Sequence, residues 1–167
     1  MCKIINIIGT GSNVGKTVLI EGLIKELSGR GYSVSTIKHD VHGFDIDKKG
    51  KDTYRHRKAG AETVIISSKN RLAMIKEVNN EVSLDEIINM VLDKDFVLVE
   101  GYKNSNLRKI EVFRKGLSKE IITPKENLIA IASNENINYF DVPVIDKEDY
   151  KALADLVENE KEYSKIK

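Results

Sequence analysis

Gly9-Thr10-Gly11-Ser12-Asn13-Val14-Gly15-Lys16-Thr17 is the stretch that decides the fold. The run before it, Ile4-Ile5-Asn6-Ile7-Ile8, reads as a short strand buried on both faces. After it, residues 16–28 set Leu19, Leu23, Ile24 and Leu27 on one side of a helix, and Gly29 and Gly31 end that helix. A glycine-rich turn between strand and helix that closes on Gly-Lys-Thr is a phosphate-binding loop. Successive backbone N–H groups point at phosphate oxygens and the helix N-terminus adds a favourable dipole. Lys16 sets its ammonium on the outer phosphates, and the Thr17 hydroxyl suits Mg²⁺. The common spacing has a glycine where Thr10 stands; Gly9 and Gly11 flank it instead, so the loop is one residue longer. The predicted nucleotide contacts are Gly11, Ser12, Asn13, Val14, Gly15, Lys16, Thr17 and Val18.

Outward from the loop, short apolar strands alternate with amphipathic helices, which predicts an α/β fold. Strands are expected at residues 32–37, 63–67, 72–75, 95–99, 110–113, 128–132 and 142–145. Ser68-Lys69-Asn70-Arg71 turns one strand into the next. Ser83 and Glu86 make a capping box ahead of Ile87, Ile88 and Val91. Asp146 is expected to cap a last helix running through Leu153 and Leu156 to about Glu160, with Lys161, Lys165 and Lys167 in a fraying tail. Residues 41–51 and 115–127 read as irregular loops. The expectation is a single domain over residues 1–167.

Bulk properties narrow the function classes. With 27 Lys plus Arg against 26 Asp plus Glu, the net charge is +1, which argues against a general nucleic-acid binder. Cys2 is the one cysteine, so neither an internal disulfide nor a cysteine metal cage can form. The apolar run at the N-terminus passes straight into the glycine loop, and reads as a strand rather than a signal peptide. No stretch approaches the roughly 20 apolar residues of a membrane span. A cytoplasmic protein is expected.

Three further features carry chemistry. Asp95-Phe96-Val97-Leu98-Val99-Glu100-Gly101 is an apolar strand ending in a carboxylate, where phosphate-loop folds place an acid for Mg²⁺. Glu100 takes that role here, and Gly101 lets the chain turn close by. In Lys38-His39-Asp40-Val41-His42, Asp40 is a further candidate for Mg²⁺ or its water; His39 and His42 alone make no zinc site. Around Gly50, Lys48, Lys49, Lys51, Arg55, Arg57 and Lys58 form a basic stretch suited to a second phosphate-bearing molecule, joined in that reading by Lys103 and Lys109.

Four segments in order resemble the molybdopterin-guanine dinucleotide biosynthesis protein B family of adapter proteins. They are the Gly9 to Thr17 loop; Ile37-Lys38-His39 with Gly50-Lys51-Asp52-Thr53 and Arg57-Lys58-Ala59-Gly60-Ala61; Leu98-Val99-Glu100-Gly101-Tyr102-Lys103; and Lys109-Ile110-Glu111-Val112-Phe113-Arg114. The similarity continues through Ile129-Ala130-Ile131-Ala132-Ser133 and the closing helix. The resemblance implies a P-loop NTPase three-layer sandwich, with a mostly parallel central sheet and helices on both faces. It implies GTP with Mg²⁺, slow hydrolysis, a homodimer, and partnership with the guanylyltransferase that joins GMP to molybdopterin. Lys38, His39, Lys51, Arg57 and Lys103 are the positions expected to meet that partner or the pterin. The open edge of the strand pair 63–67 and 72–75 fits a dimer as well. Two departures stand out: Asp40 and Val41 follow Lys38-His39 where the family commonly has more histidine, and no Asn-Lys-x-Asp guanine motif follows Glu100. The loop spacing is also that of ATP-dependent ligases and kinases of the dethiobiotin-synthetase type, which is the competing expectation.

Overall fold

The computed structural model describes residues 2–139 and 141–164. In chain order the elements are β1 (Lys3–Ile8), α1 (Lys16–Gly29), β2 (Val34–Lys38), α2 (Asp52–Lys58), β3 (Thr63–Ser68) and β4 (Arg71–Lys76). They continue with α3 (Leu84–Asn89), β5 (Phe96–Glu100), β6 (Arg108–Val112), β7 (Leu128–Ala132), β8 (Val144–Ile145) and α4 (Tyr150–Glu158). The chain forms two compact units, residues 1–39 with 87–167, and residues 40–86.

The first unit is built on a six-stranded sheet in the order β2-β5-β1-β6-β7-β8. Every pairing in it is parallel. Side chains alternate across such a sheet, so each strand feeds two layers. Ile5 and Ile7 of β1, Phe96 and Leu98 of β5, and Ile110 and Val112 of β6 form one layer with Leu19, Leu23 and Leu27 of α1 and Leu153 and Val157 of α4. The α1–α4 contact is close because Gly22 has no side chain: a Cβ there would lie 2.2 Å from the Tyr150 ring. Arg30 ties the same helices at their ends, donating to Glu26, to Asp155 at 2.6 Å and to Glu158 at 3.0 Å.

The opposite rows of the sheet bury polar groups. Asn6, Lys109 and Glu111 are at most 1% exposed. Loop groups meet Lys109, Glu111 and the Asn6 amide nitrogen, while Asn6 Oδ1 has no partner among the described residues. Asn6 Nδ2 donates to Tyr102 O and Ser105 Oγ. Lys109 Nζ donates to Ser105 O and to Leu107 O. The Glu111 carboxylate accepts from the amides of Ile122 and Thr123 and from Thr123 Oγ1 at 2.7 Å. Burial alone pushes the Lys109 ammonium below the usual lysine range.

In the second unit β3 and β4 pair antiparallel from Thr63↔Lys76 to Ser68↔Arg71, with Lys69 and Asn70 as the turn. The helix α2 buries none of its residues. Arg57 holds this unit's chain together, donating to Asp45 at 2.9 Å, Asp47 at 3.1 Å and Glu77 at 3.0 Å.

Most expected elements recur within two residues, and three differ in a physically informative way. The basic stretch contains α2, which its few apolar residues hide from any periodicity. The last helix is capped by Asp149, whose carboxylate accepts from Ala152 N, rather than by Asp146. Pro143, lacking an N–H, shortens the strand expected at 142–145 to Val144–Ile145. The tail residues Lys165 and Lys167 lie outside the described residues. No helix among the described residues is long and apolar enough to cross a membrane.

Candidate functional site

The parallel order sets the carboxyl ends of β1, β2, β5, β6, β7 and β8 along one edge of the sheet, where open α/β sheets bind ligands. The loop that follows β1 is held from both sides. At Gly9 a Cβ would lie 2.7 Å from Val14 Cγ2 and 3.1 Å from Val112 O, so the loop's first residue has room for hydrogen only. Asn13 and Gly15 take left-handed backbone, at φ 64° and 113°. Gly15 is also the N-cap of α1, and no side chain caps that helix. Its leading amides are therefore left to a ligand, as phosphate-loop chemistry needs. Val14 is fully buried and anchors the turn.

Around this loop lies a cavity of about 610 Å³, lined by the loop from Ser12 into α1 and by Lys38, Glu100, Arg114, Lys147 and Glu148. That volume falls in the range of about 300–1,000 Å³ typical of small-molecule sites. Lys16 Nζ reaches back across the loop to Gly11 O at 2.6 Å. Burial lowers the Lys16 pKa; Glu100 pulls it back up, while Lys103 and Lys38 push it further down. Lys103 Nζ meets Thr10 O at 3.3 Å, and Arg114 Nη1 meets Asn13 O at 3.2 Å. Five cations, Lys16, Lys38, Lys103, Arg114 and Lys147, thus stand at the loop and its cavity against the carboxylates of Glu100 and Glu148, a field that favours a polyanion.

Register explains why Glu100 arrives here. It pairs with Ile7 of β1 and Lys38 of β2, and continues the row of Phe96 and Leu98 that faces α1. Its side chain is 16% exposed and stands 3.9 Å from Lys38 Nζ. Gly101 then turns at φ 93°, and a Cβ on it would lie 2.9 Å from His39 Cβ. His39 and Tyr102 stack with ring centroids 4.3 Å apart.

The expected contact residues from Ser12 to Thr17, with Val18, lie at this cavity, except Val14, which supports the loop from inside. Gly11 enters through its carbonyl. Thr17 and Glu100, both expected at Mg²⁺, line the same cavity. Asp40 belongs to the second unit, where its carboxylate accepts from His42 N. Of the residues assigned to a partner or pterin, Lys38 and Lys103 stand at the phosphate loop itself. Lys51 is exposed at the start of α2, and Arg57 is turned onto Asp45, Asp47 and Glu77. Lys109 is a correction: it is fully buried on backbone carbonyls and presents nothing to a pterin.

No group of three or more His, Cys, Asp or Glu side chains among the described residues could cage a metal ion. One hydroxyl and one carboxylate beside a phosphate loop do fit Mg²⁺, which keeps water and takes substrate phosphates as ligands. Sequence reasoning missed Lys147 and Glu148, and left Arg114 without a place. Arg114 follows β6 by two residues, and β6 flanks β1 in the sheet, so only the strand order brings it to the loop.

The family described as molybdopterin guanine dinucleotide synthesis protein B, MobB, matches residues 4–134. The chain belongs to that family. A molybdopterin-guanine dinucleotide biosynthesis adapter protein of Escherichia coli K12 is 40% identical over 152 residues, covering 87% of this chain and 86% of its own. One from Haemophilus influenzae is 37% identical over 151 residues, covering 89% and 84%. A crystal structure of molybdopterin-guanine biosynthesis protein B superposes with TM-score 0.70 at 25% identity, over 92% of this chain and 97% of the other. The Bacillus subtilis MobB structure has the same fold, with TM-score 0.73 at 21% identity over 95% and 99%. These comparisons favour the adapter expectation over the ligase or kinase one.

Proposed function

We propose that this MobB-family chain binds GTP with Mg²⁺, hydrolyses it slowly, and acts as an adapter to the guanylyltransferase that attaches GMP to molybdopterin in the cytoplasm. The observation that carries the reading is the cavity in which the loop from Ser12 to Thr17 faces Glu100, Lys38 and Arg114. Backbone amides of the loop and Lys16 hold the phosphates. Thr17 and Glu100 hold Mg²⁺, which when bound neutralises phosphate charge. Arg114 donates to the loop at Asn13 O and adds positive charge at its rim.

A homodimer belongs to the same proposal. Ile65, Leu72 and Met74 share one face of the β3–β4 hairpin by its register, and are 60%, 67% and 54% exposed. Apolar chains clustered on one sheet face favour cover by another surface. Isothermal calorimetry of GTP and ATP, with and without Mg²⁺, tests the nucleotide. GTP binding that strengthens with Mg²⁺ is expected. Glu100→Gln should keep GTP binding and lose that strengthening, whereas a Mg²⁺ titration identical to wild type removes Glu100 from the site. Co-purification with the guanylyltransferase tests the adapter role, and sedimentation showing only an 18.8 kDa species at micromolar concentration would end the dimer reading.

A further inference from the structure

Two lysines meet the phosphate loop on adjacent carbonyls. Lys16 Nζ donates to Gly11 O at 2.6 Å, and Lys103 Nζ donates to Thr10 O at 3.3 Å. The two charges act on one another. Burial lowers the Lys16 pKa, Glu100 raises it, and Lys103 lowers it again. Lys103 comes from a turn that is held from beneath. Ser105 N donates to Tyr102 O at 2.9 Å and closes the turn, with Lys103 and Asn104 at its tip. Asn6 of β1 and Lys109 of β6 are partners in the sheet register, and both are fully buried. Asn6 Nδ2 donates to Tyr102 O at 3.2 Å and to Ser105 Oγ at 3.1 Å. Lys109 Nζ donates to Ser105 O and, at 3.1 Å, to Leu107 O. Tyr102 takes left-handed backbone at φ 46°, directly after Gly101 at 93°. A residue with a side chain keeps that conformation where its surroundings enforce it. An amide and an ammonium withdrawn from water cost more than apolar side chains in the same places. What they accomplish is to fix one turn, and that turn carries Lys103 to the phosphate loop.

We infer that Lys103 is a second phosphate lysine, a ligand of the terminal phosphate of a bound nucleoside triphosphate, and that the buried Lys109 and Asn6 are its positioning residues. The inference deepens the nucleotide-binding reading above and rests on it. Lys103 stands three residues after Glu100, the acid that ends β5 at the cavity. In phosphate-loop proteins the metal bridges the β- and γ-phosphates, so a side chain arriving just beyond the metal's acid comes to the terminal phosphate. A phosphate oxygen carries charge and is a stronger acceptor than the neutral Thr10 carbonyl. An anion between the Lys16 and Lys103 ammoniums also turns their repulsion into two attractions. Lys103 is thereby assigned to the nucleotide rather than to a pterin or a partner protein. A diphosphate lacks the group that Lys103 binds. Lys16 therefore holds triphosphate and diphosphate alike, and Lys103 tells them apart.

The test is calorimetry on the full chain with GTP, GDP and inorganic tripolyphosphate, each with Mg²⁺. Lys103→Met keeps an unbranched stem and removes the charge. It should weaken GTP and tripolyphosphate by about 10- to 100-fold, the range of a hydrogen bond to a charged group, and GDP by less than about 3-fold. Lys109→Met should narrow the GTP-over-GDP affinity ratio in the same direction. The double variant should lose no more than Lys103→Met alone, because both changes remove one contact. A Lys109 that only supports the fold would lower GTP and GDP together, and its loss would add to that of Lys103→Met. Lys103 is exposed, so Lys103→Met tests the phosphate contact whatever Lys109→Met does to the core. Where Lys109→Met does not fold, Ser105→Ala, which takes an acceptor from Asn6, carries the positioning test and should narrow the ratio by a smaller factor. A wild-type ratio in Lys103→Met, or an equal loss on both nucleotides, overturns the inference. A positioning variant that leaves the ratio at wild type, or whose loss adds to that of Lys103→Met, overturns the part given to Lys109 and Asn6. A wild type that binds neither GTP nor tripolyphosphate overturns the nucleotide reading itself, an outcome seen before any variant is made.

Discussion

The two units of the chain are stabilised by different means. Residues 1–39 and 87–167 bury a continuous apolar layer between the parallel sheet and α1 and α4. Residues 40–86 bury Val64 as their single fully packed apolar side chain among the described residues. Val41, Phe44 and Ile46 there are 74%, 79% and 76% exposed. Hairpin hydrogen bonds and the three ion pairs of Arg57 hold that unit. The difference teaches where each kind of function can reside. A phosphate loop works by fixed backbone amides, which need a rigid scaffold behind them. A surface that meets other proteins tolerates, and often uses, low local stability and exposed apolar chains.

If the first unit is the nucleotide scaffold, the largest effect belongs to its loop. Lys16→Ala should weaken GTP by about two decades, near 3 kcal/mol for a charged hydrogen-bonding group, while thermal unfolding stays close to wild type. Unfolding without loss of binding in the remaining folded fraction would reverse the assignment. The pH dependence sharpens the same point. The free-state Lys16 pKa is lowered, chiefly by burial. Below that lowered pKa the ammonium is present and binds phosphate. As pH rises through it, toward the ordinary 10.5, binding must recruit a proton and GTP affinity should fall. A flat affinity across that alkaline window would mean that Lys16 stays protonated by some other means.

Glu111 tests the scaffold apart from the ligand. Glu111→Ala leaves the Ile122 and Thr123 amides and the Thr123 hydroxyl without their acceptor. It should cost about 2–3 kcal/mol in urea unfolding. Glu111→Gln keeps one acceptor oxygen and should cost less. The smallest global effect is expected in the second unit. Arg57→Gln should speed proteolysis within residues 40–86 while leaving GTP affinity and the main unfolding transition in place. A large loss in both would break the comparison, since the units would then share one stability.

How far the sequence could be read follows from the range of the forces involved. The loop from Gly9 to Thr17 was legible because strand, turn and helix lie within one continuous segment. Glu100 was legible as a strand end for the same reason. Lys109 was misread because Arg108-Lys109-Ile110-Glu111-Val112 alternates like a strand with one solvated face. Loop backbone from Ser105 to Thr123 covers that face instead, and its carbonyls and amides satisfy both charges. Asp146 and Asp149 are both good caps in isolation. Asp146 is drawn to Asn134 across the β7–β8 end, and Asp149 is left to cap α4.

By itself the sequence determined the chemistry of one local motif: a backbone anion site with its lysine and threonine, the acid that ends a strand, and membership in a family through its ordered segments. The tertiary structure decided which distant residues share that site. The order β2-β5-β1-β6-β7-β8 brings Lys38, Glu100, Arg114 and Lys147 to the phosphate loop from four different strands. Strand order is a global outcome of layer packing and crossover connections, and leaves no mark in the spacing of residues within a strand. The same holds for burial of a charge, which depends on the loop that covers it and not on the residues beside it in the chain.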